Sequence, residues 1–212
     1  IGTVQFDSGR PMNVPKGSSA MVSILNTEAE GEVVYFFDAE SPRGNATFPF
    51  RAVRIRNPTP SALESGPVTV FGAGRFIGEG LSEPIPAKSI AFIPFALDRQ
   101  VLVERKNTEQ DKIARIITVQ RGVFSTETQH TLKSTFTLHN RMNEPTTVYV
   151  RHTVRPGYTL THSPKEQEML GQANLFRVQI AANAKADVTI EESSPVYKTV
   201  DVRSSSGMEM VR

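Results

Sequence analysis

Ten of the chain's 14 glycines and ten of its 14 prolines fall before residue 95. That punctuation constrains the fold more than any other feature. Proline removes a backbone donor and clashes with the preceding helical turn, and glycine weakens a helix interior through its conformational freedom. Long helices do not fit between such breaks. The first half is therefore expected to be short strands joined by tight turns.

The stretch around residues 68–105 shows the logic. Val68 and Val70 point to one face of an extended chain, Thr69 and Phe71 to the other. Gly72-Ala73-Gly74 supplies the positive-φ positions of a hairpin turn, and Arg75-Phe76-Ile77 carries the chain back. Gly78 and Gly80 mark a bulge or a close approach of another backbone. These glycines do not form a phosphate loop. Their spacing is one residue too long for the dinucleotide fingerprint, and Pro84 and Pro86 forbid the helix whose N-terminus would hold phosphate.

Further strands are expected at residues 20–25, 32–38, 48–56, 91–95 and 101–104. A leading arm precedes them over residues 1–20. Residues 105–112 (R-K-N-T-E-Q-D-K) contain no apolar side chain and read as either a strand-end loop or a domain boundary. Beyond them the alternation is cleaner, with strands at 113–121, 131–140, 146–154, 175–180, 186–191 and 196–202. In the third of these, Val148, Val150, His152 and Val154 share a face. Ser163-Pro164-Lys165-Glu166 is a capping-box pattern before Gly171 and predicts a two-turn helix, with a plain loop as the alternative. The tail from residue 203 is polar and expected to fray. The whole reads as an all-β protein, with a turn-rich β-domain over 1–108 and an antiparallel, immunoglobulin-like β-sandwich over 109–212.

Composition narrows the function classes. The 24 basic and 22 acidic residues leave a net charge of +2, which gives no electrostatic reason to expect nucleic acid. The absence of cysteine excludes disulfides, thiolate metal sites and cysteine nucleophiles. No apolar run approaches the roughly 20 residues of a membrane-spanning helix, so no membrane insertion by this segment is expected. The chain opens on Ile1, and is read as a segment of a longer protein.

Several stretches together resemble the bacterial domain of unknown function 4139, found in proteins related to mucoidy inhibitors. They are Leu63-Glu64-Ser65-Gly66-Pro67-Val68-Thr69-Val70 leading to Gly74-Arg75-Phe76-Ile77-Gly78, and residues 93–104 with Asp98 and Val101. Further on come Thr135-Phe136-Thr137-Leu138-His139-Asn140, residues 146–150, Phe176-Arg177-Val178 and Val188-Thr189-Ile190-Glu191-Glu192. The resemblance covers about residues 10–200. It implies a β-rich module of exported or envelope-associated bacterial chains, carrying no assigned chemistry and no catalytic residues.

Read for chemistry, the residues offer few constellations. Asp98 and Glu104 share a strand face, but six residues at about 3.3 Å each set them roughly 20 Å apart, too wide for the two carboxylates of a glycosidase. The simpler expectation is that Asp98 caps a turn and pairs with a nearby arginine, Arg99 being adjacent. Arg54 and Arg56 share a face that can meet an anionic partner or protect a sheet edge. His139 and His152 sit on neighbouring strands but on opposite faces, so they do not form a metal pair. No Gly-x-Ser-x-Gly is present. No cofactor is expected. The leading expectation is a non-enzymatic structural or protein-interaction module whose partner is a protein. The alternatives are a glycan or small-ligand binder, and then a hydrolase. Arg54, Arg56, Asp98, Arg99, Glu104 and His139 are the interaction candidates.

Overall fold

The computed structural model describes residues 11–121, 123–201, 203–205 and 208. The chain is almost entirely β, as its punctuation dictates. The described strands are β1 (Gly31–Phe37), β2 (Phe50–Arg56), β3 (Gly66–Gly72), β4 (Arg75–Ser82), β5 (Ile90–Leu97) and β6 (Val101–Gln120). They continue with β7 (Val123–Asn140), β8 (Thr146–Thr153), β9 (Thr159–His162), β10 (Gln167–Leu170), β11 (Ala173–Ile180) and β12 (Lys185–Asp201). Among the described residues no helix is long and apolar enough to cross a membrane.

Two sheets make the sandwich. One has six strands in the order β10-β11-β8-β1-β2-β5, and the other has four in the order β6-β7-β12-β9. All pairings are antiparallel except β1 with β8, which run parallel over Tyr35–Val148, Phe36–Tyr149 and Phe37–Val150. The core between the sheets joins Tyr35 and Phe37 of β1 to Val101, Val103, Phe136, Leu138, Val148, Val150, Phe176, Ile180, Val188 and Ile190. Each of these alternates with an outward neighbour, as period two requires. Full burial of a Phe, Leu or Val side chain is worth roughly 1.5–3 kcal/mol, so this layer supplies most of the stability. Strands from both sides of residue 108 therefore meet in one core and one sheet.

The outer face of the six-stranded sheet carries a second apolar cluster of Val34, Phe36, Ala52, Tyr149 and Leu175, flanked by Phe92 and Leu170. Beside β5 sits the β3–β4 hairpin. Its turn uses Ala73 at φ 48° and Gly74 at φ 73°. Gly78 and Gly80 let it approach β5: a Cβ on Gly78 would stand 2.6 Å from the Phe95 ring, and one on Gly80 would stand 2.1 Å from the Pro94 carbonyl oxygen. The bulge expected here lies between Val70 and Phe71 of the paired register.

Four expectations are corrected. Residues 20–25 form no strand and are exposed; they do not join β1, which is flanked on both sides by β2 and β8. The two-turn helix is instead β10, paired with β11 through a turn at Gly171. Leu170 packs on the outer cluster and Glu168 binds Arg54, and such tertiary partners override a helix too short to stand alone. Residues 105–112 are not a loop but the middle of β6, with Thr108 paired to Lys133. The break expected between residues 191 and 196 is absent. Pro195 lies inside β12 opposite Gln129, just past the point where β9 ends at Ser193–Thr159, so its missing N–H faces an open edge. Of the tail, Arg203, Ser204, Ser205 and Met208 are described, and the Met208 amide donates to the Ser204 carbonyl at 2.9 Å. The first ten residues of the leading arm lie outside the described residues.

Candidate functional site

Among the described residues, three places that gather polar side chains bear on function. The first is buried. Asp38 ends β1 in a turn, its Oδ1 accepting the amides of Glu40 and Ser41 at 3.0 Å each, while Arg151 Nη1 lies 3.1 Å from its Oδ2. Burial works to raise the Asp38 pKa, but the Ser41 and Glu40 hydrogen bonds and then Arg151 hold it below its usual value. The turn delivers Glu40 to His152. His152 and Glu192 are both nearly fully buried. Nδ1 of His152 lies 2.9 Å from Glu40 Oε1, off the line of a good hydrogen bond, and Nε2 bonds Glu192 Oε1. The remaining carboxylate oxygens are occupied as well. Glu40 Oε2 accepts from the Thr153 amide at 2.8 Å, and Glu192 Oε2 from the Arg155 amide at 3.2 Å.

An imidazole with a carboxylate on each nitrogen holds both protons. Burial alone would lower its pKa, but the Glu40 and Glu192 carboxylates that flank it raise it. His152 is thereby held between two carboxylates at the junction of the sheets. Among the described residues no group of three or more His, Asp or Glu side chains is arranged to hold a metal. The cluster clamps the two sheets together, since His152 belongs to β8 and Glu192 to β12.

The second place is a cleft of about 910 Å³ at one end of the sandwich, lined by Glu32, Val33, Tyr35, Arg51, Asp98 and Gln100 among others. It forms where β1 and β8 diverge. Their pairing begins only at Tyr35, so the earlier residues of β1 have no partner on that side. The Tyr35 hydroxyl donates to Asp98 Oδ2 at 2.8 Å and lies 3.3 Å from Met142 Sδ. Burial first, and then Asp98, push its pKa well above the usual tyrosine value.

The third place is the far part of β6, β7 and β12. All described side chains of β6 from residue 104 to 120 are exposed, so the strand has left the core. At about 3.3 Å per residue the extension reaches roughly 50 Å. β7 and β12 accompany it, paired with each other in unbroken register from Ser193–Thr131 to Asp201–Val123. Ile113, Ile116, Ile117 and Tyr197 are exposed on it. Between them runs a chain of ion pairs: Arg115 with Glu127, and Asp111 with both Lys198 and His130. Lys198 first, then His130, hold the Asp111 carboxyl below its usual pKa.

The structure scatters the expected interaction residues. Arg54 binds Glu168 at 2.6 Å and lies over the Tyr149 ring at 5.8 Å, making it a clasp on the outer cluster. Arg56 donates to the Lys88 carbonyl at 3.0 Å. Asp98 caps its turn through the Gln100 amide at 2.9 Å, as expected, but its other partner is Tyr35 and not an arginine. Arg99 and Glu104 are exposed without a partner among the described residues. His139 lies on the outward face of β7, away from His152. The sequence reading missed Glu40 and the extended ribbon. Glu192 carried a signal: Val188, Ile190 and Glu192 share a parity, and a glutamate ending a buried face needs a buried partner.

No family model matches the chain, and no curated protein or solved structure matches it.

Proposed function

We propose that the chain is a non-enzymatic protein-interaction module of a larger bacterial exported or envelope-associated protein, and that the β6–β7–β12 ribbon is what it presents. The observation that carries this reading is the ribbon itself: an extension of roughly 50 Å whose β6 side chains lie outside the core and whose exposed apolar residues include Ile113, Ile116, Ile117 and Tyr197. Exposed isoleucines on a projecting sheet suit contact with another protein. The envelope setting comes from the resemblance of residues 63–78 and the later strands. Among the described residues the buried histidine, His152, lies between Glu40 and Glu192 at the sheet junction and does not line the cleft.

The cleft supports a second reading, a small-ligand binder. Against it stands the distribution of aromatic rings. Phe71 and Phe76 are exposed together, with ring centroids 6.3 Å apart, but on the hairpin and not in the cleft, and Tyr35 is already engaged.

The test places a photoreactive amino acid at Ile116 or Tyr197, with Glu79 of the hairpin as the control. The interaction reading expects crosslinks to a defined protein from the ribbon positions only, and direct binding when that protein is purified. Silence from the ribbon, together with saturable binding of a small ligand that Arg51→Ala abolishes, would transfer the assignment to the cleft.

A further inference from the structure

β6 is the terminal strand of its sheet, and such an edge is a template for another strand. Both ends of this edge are blocked. At the near end the Val103 amide donates to the Thr47 carbonyl at 2.8 Å, which occupies the edge. At the far end the register with β7 shifts between Ile113 and Arg115 and again between Ile116 and Thr118, and bulges of this kind twist an edge away from pairing. What remains open is residues 104–112, and the middle residue of that window is Thr108.

The direction of the backbone groups follows from the Val103 bond. Successive residues of a strand send their N–H and C=O to alternate sides. Val103 points to the open edge, and no register shift intervenes before Ile113. Arg105, Asn107, Glu109 and Asp111 therefore present both backbone groups to the edge.

The sequence of this window complements itself. An antiparallel copy centred on Thr108 sets Glu104 opposite Lys112, Arg105 opposite Asp111, Lys106 opposite Gln110 and Asn107 opposite Glu109. The two-fold axis repeats every pair. No like charges face each other, and the outward-pointing odd residues meet odd residues, as hydrogen-bonded antiparallel pairs must. Neighbouring centres fail. Centring on Glu109 opposes Lys106 to Lys112, and centring on Gln110 opposes Glu109 to Asp111. Centring on Asn107 drives Asp111 onto Val103, whose amide is taken. Glu104 and Lys112 have no ion-pair partner among the described residues of one chain.

We infer that β6 is a self-association edge: two copies of the chain pair antiparallel through residues 105–111 about Thr108, joining their four-stranded sheets into one. The inference rests on the interaction-module reading and names the partner of the ribbon's edge as a second copy. Four hydrogen-bonded residue pairs give about eight backbone hydrogen bonds, and the Glu104–Lys112 pairs set the register.

The experiment is a charge swap followed by sedimentation equilibrium on the 212-residue chain. Glu104→Lys alone and Lys112→Glu alone each place like charges at both symmetry-related positions, and each is expected to weaken association about tenfold or more. The double variant restores it. The two single variants mixed together form a heterodimer, visible by native mass spectrometry, because each supplies the charge the other lacks. Circular dichroism establishes that each variant is folded. Hydrogen exchange gives a second readout: the amides of Arg105, Asn107, Glu109 and Asp111 gain protection with rising concentration, while the even-numbered amides between them, already bonded to β7, do not change. A wild-type chain that stays monomeric at its highest soluble concentration overturns the inference, as does a dimer indifferent to the swap. If Ile116 crosslinks a different protein in that case, the interaction reading stands while self-association falls. If it crosslinks nothing, both fall.

Discussion

Replacing His152 with leucine removes the cation between Glu40 and Glu192 and leaves two carboxylates facing each other at the junction of the sheets. Glu192 is only 3% exposed, so water does not replace the lost partner. Breaking a buried ion pair by deleting one member costs roughly 3–5 kcal/mol. For a chain of this size, 1 kcal/mol shifts Tm by about 2–4 °C, so the expected drop is roughly 6–20 °C. The assay is urea denaturation at pH 7, followed by far-ultraviolet circular dichroism because the chain lacks tryptophan. His152→Leu combined with Glu192→Leu should lose less than the single variant, because no buried charge is then orphaned, with a coupling of about 0.5–3 kcal/mol. The pH dependence carries a sign of its own. His152 has a raised folded pKa, so its contribution is complete below the unfolded value of 6.5 and is lost as pH rises through the folded value. Glu40 has a lowered one, so its contribution is present above the unfolded value of 4.5 and is lost as pH falls through the folded value. Stability from this cluster is therefore greatest between those limits, and His152→Leu should flatten the alkaline decline above pH 6.5. A single-variant cost below about 1 kcal/mol, strict additivity of the two leucines, or an unchanged alkaline decline would each refute the clamp.

Other sites give independent checks. Gly78→Val must push a Cβ into the Phe95 ring and carbonyl and should cost roughly 2–4 kcal/mol. Gly74→Val meets open space but forces a branched residue to φ 73°, about 1–2 kcal/mol. Thermal melts that reverse this order contradict the packing account of the hairpin. Asn140→Ala removes a fully buried amide that donates to the Glu144 and Ala181 carbonyls and accepts from the Met142 amide. A urea-midpoint loss of roughly 2–5 kcal/mol is expected from the groups left unpaired. Joining Gln110 to Thr131 by an Asn-Gly turn and ending the chain after Ser194 deletes the far part of the ribbon and keeps Leu132, which is buried beside His152 and Glu192. The shortened protein should melt within a few degrees of the parent, since the deleted β6 residues lie outside the core. Collapse of the melt would mean that the ribbon is part of the fold.

Period two made the strands and the inner faces legible. Val148, Val150 and His152 share a parity, and all three are buried. The Gly78 and Gly80 approach was legible because a missing side chain inside a strand has few other uses. Strand length was not legible. Residues 105–112 contain no apolar side chain, so they carry no burial signal, and burial is what ordinarily separates strand from loop in a sequence. They are a strand because β7 supplies a hydrogen-bonding edge, and the decision rests with a partner some 25 residues away. Pro195 misled for a related reason. A proline forbids pairing on one side only, and the sequence does not say which side is already empty. The helix before Gly171 failed because Leu170 and Glu168 had tertiary partners.

The expected interaction residues divide between two places: Arg54, Arg56, Asp98 and Arg99 lie off the ribbon, and Glu104 lies on it. Arg54, Arg56, Asp98 and Arg99 were singled out because charge stood out among apolar strands. In a region of dense strands, however, a charge is most often recruited to a local bond, as Arg54 is by Glu168 and Asp98 by Tyr35. Charges that remain available lie where no core competes for them. Glu104, Lys106 and Lys112 meet that condition: all three are exposed on the open edge of β6, and none has an ion-pair partner among the described residues. An edge strand of this length would ordinarily be a hazard for indiscriminate pairing. Here Thr47 and the bulges close it at both ends, the Thr47 bond excludes the register centred on Asn107, and like charges oppose those centred on Glu109 and Gln110. A surface selected only for solubility has no reason to place opposite charges symmetrically about Thr108, so the symmetry itself is the argument for a partner with the same sequence.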